Sequence, residues 1–114
     1  MRTPRRSECA VLPLVLKGKW YDMIASGEKR EEYRDATPYW RKRIMKWLYD
    51  PREKHIVAFS RGYRKPDMFF WACTSWNTYI GGGRAQWGEP EAEHYKIDLL
   101  ERVELEEETT NGKV

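Results

Sequence analysis

The chain has 114 residues and a net charge of +3, with 34% of its residues charged and 14% aromatic. That length predicts a single domain with a modest core. A mean hydropathy of −0.88, with no apolar run near the roughly 18 residues a helical span needs, argues against a membrane protein. The charge is unevenly spread: residues 1–65 hold 17 Lys/Arg against 8 Asp/Glu, a net of +9, and residues 66–114 hold 4 against 10, a net of −6. Such asymmetry suits either an anionic partner for the first half or mutual neutralisation of the two halves across the fold. Cys9 and Cys73 are the only cysteines, and His55 and His94 stand apart. That spacing predicts reduced thiols, no metal and no other cofactor. The first ten residues are basic without a following apolar segment of leader type, so the expected location is cytoplasmic.

In chain order, residues 1–9 read as a flexible basic N-terminus, 10–105 as the folded domain, and 106–114 as a flexible acidic tail. Residues 10–16 (Ala-Val-Leu-Pro-Leu-Val-Leu) form an apolar run of strand length, and Pro13 within it predicts an edge strand or a bulge. Trp20, Met23 and Ile24 recur at i, i+3, i+4, which predicts a short amphipathic helix. Ser26-Gly27 ends it, Gly27 being suited to the left-handed position beyond a helix. Residues 29–35 read as strand. Thr37-Pro38 marks the next helix start, with a side-chain cap followed by proline at the first helical position. Trp40, Ile44, Trp47 and Leu48 give that helix an apolar stripe, and Asp50-Pro51 closes it. Beyond it the chain reads as extended over 55–61, 68–80 and 94–105, with turns at Gly62 and at Gly81-Gly82-Gly83. The fold class expected is α+β, a small β-barrel with two flanking helices.

Residues 27–34 (Gly-Glu-Lys-Arg-Glu-Glu-Tyr-Arg) carry most of the chemistry. Alternate residues of a strand share a face. Arg30, Glu32 and Arg34 are therefore expected on one side, with Glu31, Tyr33 and Asp35 on the other. Lys29 precedes the strand, and the turn at Gly27 can swing its amine towards Glu32. Such a Lys–Glu–Arg cluster suits either a ligand held by charge-assisted hydrogen bonds or an ion network that fastens a helix to a sheet.

The spacing G-x-K-x-x-E-x-R resembles the signature of the ASCH domain family, and Gly27, Lys29, Glu32 and Arg34 match all four of its positions. The preceding helix is similar to the family's, as is Phe59-Ser60-Arg61-Gly62-Tyr63, so the resemblance covers roughly residues 10–105. It implies a PUA-like β-barrel with a cleft beside the first helix, and binding of RNA or a nucleotide, with DNA a further candidate. It implies Lys29, Glu32 and Arg34 as ligand-binding residues and a structural Gly27. Arg61, Tyr63 and Arg84 are peripheral candidates, through cation and stacking chemistry at the Ser60–Lys65 turn and in the glycine loop. The helix cations Arg41, Lys42, Arg43 and Lys46 are candidates for phosphate contact.

Some members of that family look like amidohydrolases acting on acetylated cytidine. Their chemistry needs a lysine, a hydroxyl nucleophile three residues later and a distant glutamate. Here Lys29 is followed three residues on by Glu32, which departs from that pattern. A Lys29–Glu32 pair that activates water as acid and base is the remaining catalytic expectation, with Glu89, Glu91 or Glu93 as the distant glutamate. A protein-interaction accessory domain is the third expectation.

Overall fold

The computed structural model describes residues 3–79 and 85–106. It is an α+β fold whose strands are β1 (Cys9–Leu16), β2 (Glu31–Asp35), β3 (Lys54–Arg61), β4 (Arg64–Tyr79) and β5 (His94–Arg102). Helix α1 (Gly18–Ala25) joins β1 to β2, and α2 (Pro38–Leu48) joins β2 to β3. The strands form one sheet in the order β1-β3-β4-β5-β2. β1 runs parallel to β3, and the other neighbouring pairs are antiparallel.

The sheet curls into half a barrel, with β1 and β2 as its two edges. Among the described residues no backbone ladder joins those edges. The Arg34 side chain spans the opening instead, Nη2 donating to the Val15 carbonyl at 3.2 Å. The smooth barrel expected from the sequence is thus open along one seam, and that seam carries the candidate site.

Local sequence explains most element boundaries. In β1, Ala10, Leu12, Leu14 and Leu16 are buried while Pro13 and Val15 face out, the period-2 pattern of a strand with one core face. Pro13 sits on an edge strand, where its missing N–H costs no ladder bond. Helix α1 ends at Gly27, whose φ of +88° needs a residue without a Cβ. Helix α2 is capped by Thr37, whose side chain accepts from the Trp40 N–H at 3.3 Å, and Pro38 follows at the first turn.

The core lies inside the curl. Phe59 of β3 and Phe69 of β4 are register partners with ring centroids 5.5 Å apart, and Tyr21 of α1 meets Phe69 edge-on at 4.5 Å. Ile24 seats α1 on this core, and Ile44 and Trp47 seat α2. Trp47 Nε1 donates to the Ala10 carbonyl at 3.0 Å, which pins α2 to the β1 edge.

Several boundaries differ from the sequence expectation. β2 begins at Glu31, so Lys29 and Arg30 belong to the preceding turn; β4 begins at Arg64 and β5 ends at Arg102. The ends of the domain also carry local order. Arg6–Glu8 form a 3-10 turn, Arg5 bridges Glu106, and Cys9 is 2% exposed within β1. The Gly81–Gly83 turn and residues 107–114 of the acidic tail lie outside the described residues.

Candidate functional site

The site begins at Gly27. Its left-handed turn reverses the chain after α1, and the Lys29 N–H then donates to the Met23 carbonyl at 3.0 Å. That bond turns the Lys29 side chain back against α1 and the start of β2. Its Nζ lies 4.6 Å from the Trp20 ring centroid and 5.2 Å from that of Tyr33. Two aromatic faces thus flank one ammonium, an arrangement that partly replaces its lost hydration.

Glu32 completes the cluster. Its Oε1 accepts from Lys29 Nζ at 2.9 Å and its Oε2 pairs with Arg34 Nη2 at 3.0 Å. Strand parity brings Glu32 and Arg34 together on one face of β2. On the other, the Tyr33 hydroxyl donates to Glu31 Oε1 at 2.7 Å, and Glu31 in turn meets Lys96. Arg30 does not join the group: its guanidinium donates to the Leu100 carbonyl across on β5. Lys29 and Glu32 are only 2% and 3% exposed, whereas the Arg34 side chain is 18% exposed. The triad therefore has a closed floor and one cation at its rim, with a net charge of +1. Removing charges from water is costly, and losing Glu32 would leave the buried Lys29 charge uncompensated.

Arg34 is held on three sides. Besides Glu32 and the Val15 carbonyl, its guanidinium stacks 5.0 Å from the Trp40 ring centroid. Its Nε, although buried, has no hydrogen-bond partner. The partly exposed end of the side chain, rather than this buried atom, stands at the rim.

Above the triad is a cleft of about 310 Å³. Val15, Leu16 and Lys17 line it from the end of β1, Trp20 from α1, and Trp87, Gly88 and Pro90 from the loop before β5. This loop presses on the helix. Gly88 has φ +76°, and a Cβ there would lie 2.8 Å from Trp20 Cζ2, so the glycine lets backbone rest on the indole. The loop is anchored beneath by His94, which is fully buried. His94 Nδ1 faces the Ala92 carbonyl at 2.7 Å and so donates to it; Nε2 meets Glu89 Oε2 at 3.1 Å. The His94 ring also packs edge-on against Tyr33, centroids 5.6 Å apart, which ties the loop anchor to the cleft wall.

The sequence candidates therefore separate. Lys29, Glu32 and Arg34 converge on one cleft. Arg61 does not line it: the guanidinium lies against Gly18 at the start of α1, and Nε pairs with Asp22 Oδ1 at 3.3 Å. Tyr63 is 91% exposed at the turn between β3 and β4, also outside the cleft lining. Arg84 lies outside the described residues. Lys17, Trp20, Trp87, Gly88 and Pro90 are cleft residues that spacing did not single out as site candidates. The turn-forming sequence Trp87-Gly88-Glu89-Pro90 marks a loop, but only the fold shows which helix it rests on.

For hydrolytic chemistry the lining is sparse. Among the described residues it contains no Ser, Thr or Cys, and the Tyr33 hydroxyl is committed to Glu31. Of the three glutamates considered for the distant role, Glu89 is turned to His94, and Glu91 and Glu93 are exposed. The described residues contain no cluster of His, Cys, Asp and Glu suited to a metal ion, and no helix long and apolar enough to cross a membrane. The lining combines a cation at the rim, two indoles and the Lys29–Glu32 pair at the floor.

Comparison of the chain with protein-family models, with curated proteins and with solved structures returns no match.

Proposed function

We propose that the chain is an ASCH-type, PUA-like domain whose cleft binds a nucleotide, either free or as one unit of an RNA strand. The observation that carries this reading is the junction of Arg34, whose side chain is 18% exposed at the rim, with the indoles of Trp20 and Trp87 in one cleft. Phosphate is drawn to Arg34 and to the exposed Lys17. A base gains about 1–3 kcal/mol by stacking on an aromatic face; the Trp87 indole is the candidate for that contact, because the Trp20 ring carries Lys29 and Lys19 and meets Gly88. A volume near 310 Å³ falls at the lower end of the roughly 300–1,000 Å³ typical of ligand pockets. That size suits one nucleoside rather than a duplex.

On this reading the three signature residues have different roles. Arg34 contacts the ligand. Glu32 orients Arg34 and Lys29, and Lys29 supports the floor from between Trp20 and Tyr33. The test is titration of the chain with a uridine mononucleotide and with short single-stranded RNA, read by tryptophan fluorescence and by anisotropy. Saturable binding that Arg34→Ala and Trp87→Ala each weaken supports the reading. Equal affinity in folded Arg34→Ala and Trp87→Ala variants rejects it.

A further inference from the structure

The unpaired edge of β1 continues from the cleft into two more depressions. The first, about 290 Å³, lies between β1 and α2 and is lined by Val11, Pro13, Arg43, Lys46, Trp47 and Arg52, among others. The second, about 400 Å³, shares Val11 and Arg52 with it and adds Arg6. The cleft takes over at Val15 and Lys17. Cations therefore follow one strand edge in spatial order: Arg6, Arg52, Lys46, Arg43, Arg34 and Lys17. Among the described residues, the carboxylates lining the three depressions are Asp50, which pairs with Arg52 at 3.0 Å, and Glu32 of the triad floor.

Trp40 joins the α2 depression to the cleft. The guanidinium of Arg34 lies 5.0 Å from its ring centroid and that of Arg43 lies 5.5 Å from it. Arg43, like Arg34, has a buried Nε without a hydrogen-bond partner. Two arginines thus flank one indole, one lining each depression.

This edge is badly suited to pairing with a protein strand. Pro13 offers no N–H. The carbonyl of Val15 already accepts from Arg34 Nη2. An edge blunted in this way resists strand addition, while its flanking cations remain able to meet a polyanion.

We propose, building on the nucleotide reading of the cleft, that the β1 edge is the track of a single-stranded RNA backbone, one of whose bases occupies the cleft. From Cys9 to Lys17 the track runs on the order of 26 Å at about 3.3 Å per residue. That length spans a few nucleotides, near the lower end of the roughly 4–16-nucleotide footprints of single-strand-binding folds.

The test uses the full chain, a labelled uridine octamer, a duplex of the same length and uridine monophosphate, each titrated over a range of salt. In the variant carrying Arg6→Gln, Lys46→Gln and Arg52→Gln, three exposed side chains change, so the fold is retained. The track predicts that the octamer's advantage over the mononucleotide shrinks about tenfold or more. It also predicts that the salt slope for the octamer falls by about two, at roughly 0.7 per phosphate contact on a single strand. An unaltered octamer affinity in this variant, alongside a loss in Arg34→Ala, overturns the track and leaves the cleft reading standing. Duplex binding as tight as the octamer's overturns the single-stranded path. Failure of both mononucleotide and octamer to bind the wild-type chain removes the cleft reading and the track together.

Discussion

Glu32 joins two cations, one through each carboxylate oxygen, and this decides what substitutions at the site will do. Glu32→Gln keeps the shape but leaves two positive charges facing each other in a buried pocket. Breaking a buried ion cluster in this way typically costs about 3–5 kcal/mol, so the variant should unfold at clearly lower denaturant concentration than wild type; an unshifted midpoint would show that water already reaches the cluster. Arg34→Ala leaves the Lys29–Glu32 pair at 2.9 Å in place. Its effect belongs to binding: about 1–3 kcal/mol weaker if the guanidinium makes a bidentate contact, checked by anisotropy on a variant whose circular dichroism matches wild type. Lys29→Ala is a poorer probe, because the ammonium is 2% exposed and its loss disturbs the floor along with any contact to ligand. The Lys29–Glu32–Arg34 grouping was legible in the sequence because strand parity and a glycine turn are local rules. The Trp40 stack on Arg34 was not, since it joins the start of a helix to a strand through tertiary packing.

At the scale of elements, the loop before β5 and helix α1 act as the two walls of the cleft, and their contact depends on Gly88. In Gly88→Ala the new Cβ meets Trp20 at 2.8 Å in a backbone conformation with φ +76°. The left-handed conformation alone costs about 1–2 kcal/mol for a residue with a Cβ, and the clash adds to it. The loop should lift from the indole, raising solvent quenching of tryptophan and weakening nucleotide binding; unchanged quenching and affinity would show that the loop does not shape the cleft. The N-cap of helix α2 lies outside the cleft lining and tests stability there. Thr37→Ala removes the cap on Trp40 N–H and should cost about 1 kcal/mol of stability, seen as a small shift in the unfolding midpoint with binding retained. The helix starts and stops were readable because Thr37-Pro38 and Gly27 impose them chemically. The ends of β2, β4 and β5 were less readable, because a strand ends where its partner stops pairing, and the partner is distant in sequence.

Across the whole molecule, the uneven charge of the sequence acquires a location. Every described cation that lines the cleft or the β1 edge comes from the first 65 residues, which carry the net +9. The sheet order β1-β3-β4-β5-β2 places β1 and β2 at opposite edges, and the curl brings these edges within reach of one arginine side chain. Composition alone left open whether the two charged halves neutralise each other. Among the described residues, seven of those cations line the cleft and the β1 edge, while Arg5 pairs with Glu106 of the acidic half. That order was not legible in the sequence, because the pairing of strands so far apart along the chain leaves no local trace in composition or periodicity. The central claim is that this open seam holds nucleic acid, and the most direct test is anisotropy titration of a short single-stranded RNA with wild type and Arg34→Ala at low and high salt. Nucleic acid held in the seam should give saturable binding by wild type that weakens as salt rises, with a clear loss in Arg34→Ala at both salts. Binding that is indifferent to salt and to Arg34, or no binding by wild type at low salt, would contradict it.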